Sequence, residues 1–198
     1  VTGLMMEASE RPSPAVVLVP MLGGSKEDWQ GVAEQLARAA IAALAIDLPG
    51  NALPEDPAAL GKWNADVRAA VTYLAARGDI RPEAIGVAGA SLGANLAVLA
   101  AVADPRIRSL ALVSPSLDYR GVRIEAPMRQ YGARPALLVA SLRDPYAART
   151  VRELTTDPPG PREARWGESR AHGNQLLARE PDLVRAIVDW FQRTLALN

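Results

Sequence analysis

The sequence predicts an α/β fold in three layers: a mostly parallel sheet with helices on both faces. Three observations predict it. Short runs of Val, Ile, Leu and Ala recur along the 198 residues, too continuously apolar for strands with one wet face. Between them lie segments whose apolar residues repeat every three or four positions, the stripe of a helix resting on a core. The two kinds of segment alternate, and a strand that leads through a helix to a parallel neighbour must return over the face of the sheet.

Taken in order, the first run covers residues 15–19 (Ala-Val-Val-Leu-Val) and is followed by a helical stripe of Trp29, Val32, Ala33 and Leu36. The second run, 41–46, precedes a stripe of Trp63, Val67, Ala70, Val71 and Leu74. The third, 84–88, leads through a glycine-flanked turn into an Ala- and Leu-rich helix over 94–102. Further strands are predicted at 110–113 and 136–140, and a helix over 146–154, where Pro145 suits a first helical position. The cluster Asp157-Pro158-Pro159-Gly160-Pro161 is a turn rather than a linker and introduces a last strand at 163–166. After Pro181 a stripe of Leu183, Ile187, Trp190 and Thr194 marks a closing helix. Ligands in such sheets gather at the carboxyl ends of strands, which directs attention to the loops at 20–25, 47–57, 89–93, 114–120, 141–145 and 167–174.

This length fits one domain, residues 1–198. Lys plus Arg equals Asp plus Glu at 22 each, so there is no basic surplus for nucleic acid. Cysteine is absent, which excludes disulfides, thiolate metal sites and cysteine nucleophiles. No Walker loop, dinucleotide fingerprint or paired His or Cys is present, so neither a cofactor nor a metal is implied. No run is long enough for a membrane span. The chain begins at Val1 rather than Met, so upstream residues are expected, and the protein is expected to be soluble, cytoplasmic or exported after loss of an N-terminal segment. No oligomeric state is specified.

The strongest chemical signal is Gly89-Ala90-Ser91-Leu92-Gly93, between a predicted strand and a predicted helix. A serine at so sharp a turn is pushed into strained geometry with its hydroxyl exposed, and the flanking glycines avoid collision with strand and helix. The competing reading is a packing turn in which Ser91 caps the helix. A nucleophilic hydroxyl needs a base, and His172 is the one histidine, in the loop after the last predicted strand. The chain order serine, acid, histidine then asks for a carboxylate at the end of an earlier strand. Asp144, following the 136–140 strand, fits, and it also fits a helix cap before Pro145. Asp118 is its competitor.

Through these motifs the chain resembles, over nearly its whole length, the α/β-hydrolases of the small, lidless serine carboxylesterase and dienelactone-hydrolase-like kind. The resemblance implies the α/β-hydrolase fold and a Ser91–His172–Asp144 catalytic triad on a nucleophile elbow. It also implies an oxyanion hole built from the backbone N–H groups of Leu22, in the loop after the first strand, and Leu92, after the nucleophile. Pro20 and Met21 stand where that family has a His-Gly pair. Asp47-Leu48-Pro49-Gly50 resembles the family's structural Asp-x-x-Gly turn. Dienelactone hydrolases use a cysteine nucleophile, so the likeness is nearer to the serine esterases. The stretch 115–134, where larger relatives carry a helical cap, is short, so the site is expected to be open, with Met128, Tyr131, Leu22 and Leu117 either lining an acyl pocket or forming plain core. The expectation is a serine hydrolase of small or short-chain carboxylic esters working through an acyl-enzyme. Thioesterase, amidase or peptidase action on the same scaffold and a noncatalytic binding protein are its rivals.

Overall fold

Buried strands need both faces apolar, and the runs of Val, Leu, Ile and Ala supply this: every residue of 15–19 and of 42–46 is buried. A computed structural model describes residues 1–56 and 58–196. Pro57, the end of the predicted 47–57 loop, and residues 197 and 198 of the expected 1–198 domain lie outside the described residues.

The elements run β1 (Gly3–Met6), β2 (Ser13–Val19), a 3-10 turn (Lys26–Trp29), α1 (Gln30–Arg38), β3 (Ala42–Ile46), α2 (Ala59–Lys62), α3 (Asn64–Ala75), β4 (Ile80–Ala90) and α4 (Leu92–Ala103). They continue as β5 (Ile107–Val113), β6 (Asp118–Tyr119), β7 (Val122–Arg123), α5 (Glu125–Tyr131), β8 (Ala136–Ser141), α6 (Pro145–Thr155), β9 (Arg162–Gly167), α7 (Asn174–Arg179) and α8 (Pro181–Thr194). The seven-stranded sheet has the order β1-β3-β2-β4-β5-β8-β9. All pairings in it are parallel except β1 with β3. The chain winds outward from β2 to β3 and then, from β4, in the opposite direction, so the strand order reverses between β2 and β4.

Alternation along the strands feeds two separate cores. Val17, Val19, Val87 and Leu112 face α3, α4, α5 and α6, while Val16, Leu18, Ala88 and Val113 face α1, α7 and α8. This is the three-layer arrangement the sequence predicts. Trp190 of α8, fully buried, donates its indole N–H to the Leu110 carbonyl at 3.0 Å, locking the closing helix to the middle of the sheet.

The structure extends the predicted strands and adds some. β1 is a four-residue strand with no alternation or turn signal of its own; its pairing with β3 creates it. β4 starts before the predicted 84–88 run, because Ile80 pairs with Ser13 ahead of an irregularity in register. The small β6-β7 hairpin and α5 fill the stretch where a cap was expected to be short. Met128 and Tyr131 belong to the core and do not line the cleft beside His172: both are buried, and the Tyr131 hydroxyl donates to the Pro135 carbonyl at 2.8 Å.

Candidate active site

The site is built on the turn from β4 to α4. Ser91 has φ 51° and ψ −119°, a region a side-chain-bearing residue enters at a cost of about 1–3 kcal/mol. The packing around it leaves no alternative. A Cβ on Gly89 would stand 2.2 Å from the Gly93 carbonyl oxygen, and one on Gly93 would stand 2.4 Å from the carbonyl oxygens of both Val19 and Pro20. Strand, helix and the end of β2 therefore touch backbone to backbone, and Ser91 N–H donates to Val113 O at 2.9 Å to fix the turn against β5. Ser91 occupies the N-cap position of α4, yet its hydroxyl caps nothing.

That hydroxyl turns instead toward His172: Ser91 Oγ lies 2.8 Å from His172 Nε2. On the other side of the ring, His172 Nδ1 lies 2.5 Å from Asp144 Oδ2. With the proton on Nδ1, the ring donates to the carboxylate and Nε2 accepts from the serine. Asp144 also caps α6, accepting the Ala147 N–H at 3.2 Å through its other oxygen. Asp144 thus faces the imidazole and caps the helix at once. Asp118 is elsewhere, on β6, in an exposed ion pair with Arg123 at 2.9 Å.

The imidazole is open on one side, with 44% of its side chain exposed, whereas the Asp144 side chain is 17% exposed. A cleft of about 790 Å³ adjoins it, lined by Arg143, Asp144, Arg170, His172 and Gln175 among others.

Leu22 and Leu92 present backbone N–H groups that no acceptor takes among the described residues. Their segments abut, because Gly93 of α4 lies against Val19 and Pro20, immediately before the Leu22 turn. Gly24 N–H closes that turn on Met21 O at 3.0 Å. Ser25 N–H donates to Asp28 at 2.9 Å, and Lys26 donates through its ammonium and its N–H to Asp47 at 2.7 and 3.0 Å. Met21, which follows Pro20 in this loop, packs its sulfur 3.1 Å from where a Cβ on Gly173 would be. It bridges this loop to the histidine loop.

Four residues that sequence reasoning passed over hold the framework. Ser114, buried at the end of β5, accepts the Gly173 N–H at 2.9 Å. Ser141, buried at the end of β8, donates to Ser169 O at 2.5 Å and accepts the Arg143 N–H at 3.0 Å. Burial works to raise the Glu180 carboxyl, but hydrogen bonds with Ser169 and with the N–H of Glu168 outweigh it and hold it below its ordinary value. Asn95, one helical turn after Ser91, donates to Ser116 O and Val122 O and accepts the Ser116 N–H, anchoring the β6-β7 hairpin. A serine at a strand end and an asparagine in a helix carry no sequence signal of such roles, since, apart from the Arg143 N–H two residues after Ser141, their partners lie 21 to 59 residues away.

Among the described residues, no group of three or more His, Asp and Glu side chains is placed to hold a metal ion, and no helix is long and apolar enough to cross a membrane.

A family model described as the alpha/beta hydrolase family matches residues 16–197. Among solved structures, the chain is similar to a dienelactone hydrolase from Anabaena variabilis ATCC 29413, with 19% identity and a TM-score of 0.79 over 98% of this chain and 92% of that one. It is similar to Est1E from Butyrivibrio proteoclasticus, with 16% identity and a TM-score of 0.79 over 98% and 94%. A 2,6-dihydroxy-pseudo-oxynicotine hydrolase matches with 19% identity and a TM-score of 0.79 over 98% of this chain, which spans 64% of the length of that hydrolase. At these identities the likeness is one of fold. No curated protein matches the chain.

Proposed function

The chain belongs to the alpha/beta hydrolase family, and from that premise we propose that it is a serine hydrolase that cleaves small carboxylic esters. The observation that carries the reading is the unbroken series Ser91 Oγ, His172 Nε2, His172 Nδ1, Asp144 Oδ2, with steps of 2.8 and 2.5 Å across the ring. A lone buried serine would do nothing at neutral pH; a hydroxyl already donating to a base oriented by a carboxylate is a nucleophile in waiting.

In the proposed reaction Ser91 Oγ attacks the ester carbonyl while its proton passes to His172 Nε2. The resulting imidazolium is stabilised by Asp144, and the carbonyl oxygen, now an oxyanion, is held by the N–H groups of Leu22 and Leu92. The latter sits at the N-terminus of the 12-residue α4, where the helix dipole favours negative charge. Collapse breaks the bond to the leaving alcohol, which takes the proton from Nε2. Water, deprotonated by the same nitrogen, then attacks the acyl-serine, and the acid departs as Ser91 regains its proton.

The esterase reading is favoured over amide cleavage by the open imidazole and the absence of a long cap over it, which suit small, water-accessible substrates. The alkaline-labile p-nitrophenyl acetate and a fluorophosphonate probe test it together. Wild-type protein is expected to hydrolyse the ester and to take up one probe molecule at Ser91, and Ser91→Ala is expected to lose both, with turnover down by about 10⁴ or more. A folded wild-type protein that neither turns over the ester nor takes the probe would speak for a binding protein instead.

A further inference from the structure

Resting on the esterase reading, the geometry points to a substrate whose leaving-group half carries an oxyanion, a carboxylate or a phosphate, received by Arg143 and Arg170. His172 Nε2 protonates the departing oxygen, so the leaving group lies on the side of the imidazole, while the acyl oxygen points toward Leu22 and Leu92. A cleft of about 790 Å³ adjoins the imidazole, and Arg143 and Arg170 line it together with His172.

The charge of this cleft is not balanced from within. Its one carboxylate, Asp144, is committed through Oδ2 to His172 and through Oδ1 to the Ala147 N–H. Neither Arg143 nor Arg170 pairs with a carboxylate among the described residues, and both are exposed. Other arginines, such as Arg77, Arg106, Arg149 and Arg193, are held by neighbouring acids, so what sets Arg143 and Arg170 apart is that two uncommitted guanidiniums share one cleft with the imidazole. Two cations against one committed anion make a site that attracts negative charge.

The two arginines are also set in fixed backbone positions. Ser141 Oγ accepts the Arg143 N–H and donates to the carbonyl of Ser169, the residue before Arg170. A single buried hydroxyl thus ties together the two loops that carry the guanidiniums, one after β8 and one after β9. Gln175, whose N–H donates to His172 O at 3.2 Å, adds an uncharged amide to the same wall. A planar guanidinium offers paired donors that match the oxygens of a carboxylate or phosphate.

The test uses acetate esters that differ in the charge on the leaving phenol: phenyl acetate, 4-acetoxybenzoate, 4-acetoxyphenyl phosphate and 4-acetoxyphenyl-trimethylammonium. Rates are normalised to sites titrated by the fluorophosphonate, so partial misfolding of a variant does not enter. Comparing the same ester pair across proteins cancels intrinsic reactivity. The anionic-to-neutral ratio of kcat/KM is expected to fall about tenfold from wild type to R143Q/R170Q, with each single variant between, and wild-type preference is expected to weaken at about 0.5 M salt. Arg38→Gln, on α1 and outside the cleft, is expected to leave the ratio unchanged. Whichever anionic ester loses more identifies carboxylate or phosphate. An unchanged ratio in the double variant, or a wild-type preference for the cationic ester, overturns the proposal while leaving the esterase reading intact. Failure of wild type to take the probe and to cleave all four esters sinks the parent reading, and this one with it.

Discussion

At the scale of single residues, the candidate site depends on side chains that never meet substrate. Ser114 shows this. Its hydroxyl, 1% exposed, accepts the N–H of Gly173, the residue after His172. Gly173 has φ +58°, a left-handed value that glycine tolerates, so its N–H points where only this acceptor receives it. Removing the hydroxyl strands that N–H at a cost of about 1–3 kcal/mol, and the loop relieves it by shifting. A histidine displaced by an ångström costs up to about 10² in rate. Ser114→Ala is therefore expected to lower kcat on p-nitrophenyl acetate about tenfold with KM little changed and circular dichroism preserved. Steady-state kinetics check it, and a variant with wild-type kcat would remove Ser114 from the positioning role.

At the scale of elements, the elbow sets two effects against each other. Gly93 lies inside α4, and helix propensity alone says that alanine there adds about 1 kcal/mol of stability. The new methyl group would stand 2.4 Å from two backbone carbonyl oxygens, those of Val19 and Pro20. Neither is the end of a flexible side chain, so α4 must move away from β2, at about 1–3 kcal/mol or more. The steric term wins. Gly93→Ala is expected to lower Tm by several degrees in thermal denaturation and to slow fluorophosphonate labelling, because the same movement separates the Leu92 N–H from the Leu22 turn. A stabilised variant would show that the contact relaxes freely.

At the scale of the whole molecule, Asp47 ties together the segment ahead of β1, the loop after β2 and the loop after β3. Its carboxylate accepts from Lys26 twice and from Thr2 at 2.8 Å. The Lys26 ammonium and N–H, with Thr2 adding to them, hold the Asp47 carboxyl at about 2, below its ordinary value. A carboxyl whose folded value is depressed stabilises the fold above its unfolded value, and that contribution is lost as pH falls toward 2. Asp47→Asn is expected to lower Tm by about 2–4 °C near neutrality, consistent with a partly exposed pair worth about 1 kcal/mol. The gap to wild type is expected to close on acidification toward pH ~2. Thermal melts across that range check it, and a gap as wide in acid as at neutrality would contradict the assignment.

The sequence by itself determined the alternation of strands and helices, the strand-turn-helix around Ser91 and the family resemblance, because those features are written in neighbours: apolar runs, period-3.6 stripes and two glycines flanking a serine. It also narrowed the candidate base to His172 by leaving no other histidine. Tertiary structure alone decided that Asp144 rather than Asp118 faces that ring, that β1 exists, that Met128 and Tyr131 are core, and that Ser114, Ser141 and Glu180 hold the histidine loop. The physical reason is range. Propensity and periodicity act over a few residues, whereas a hydrogen bond such as Ser91 to His172 joins groups 81 positions apart, and only the packed sheet brings the ends of β4, β8 and β9 to one rim.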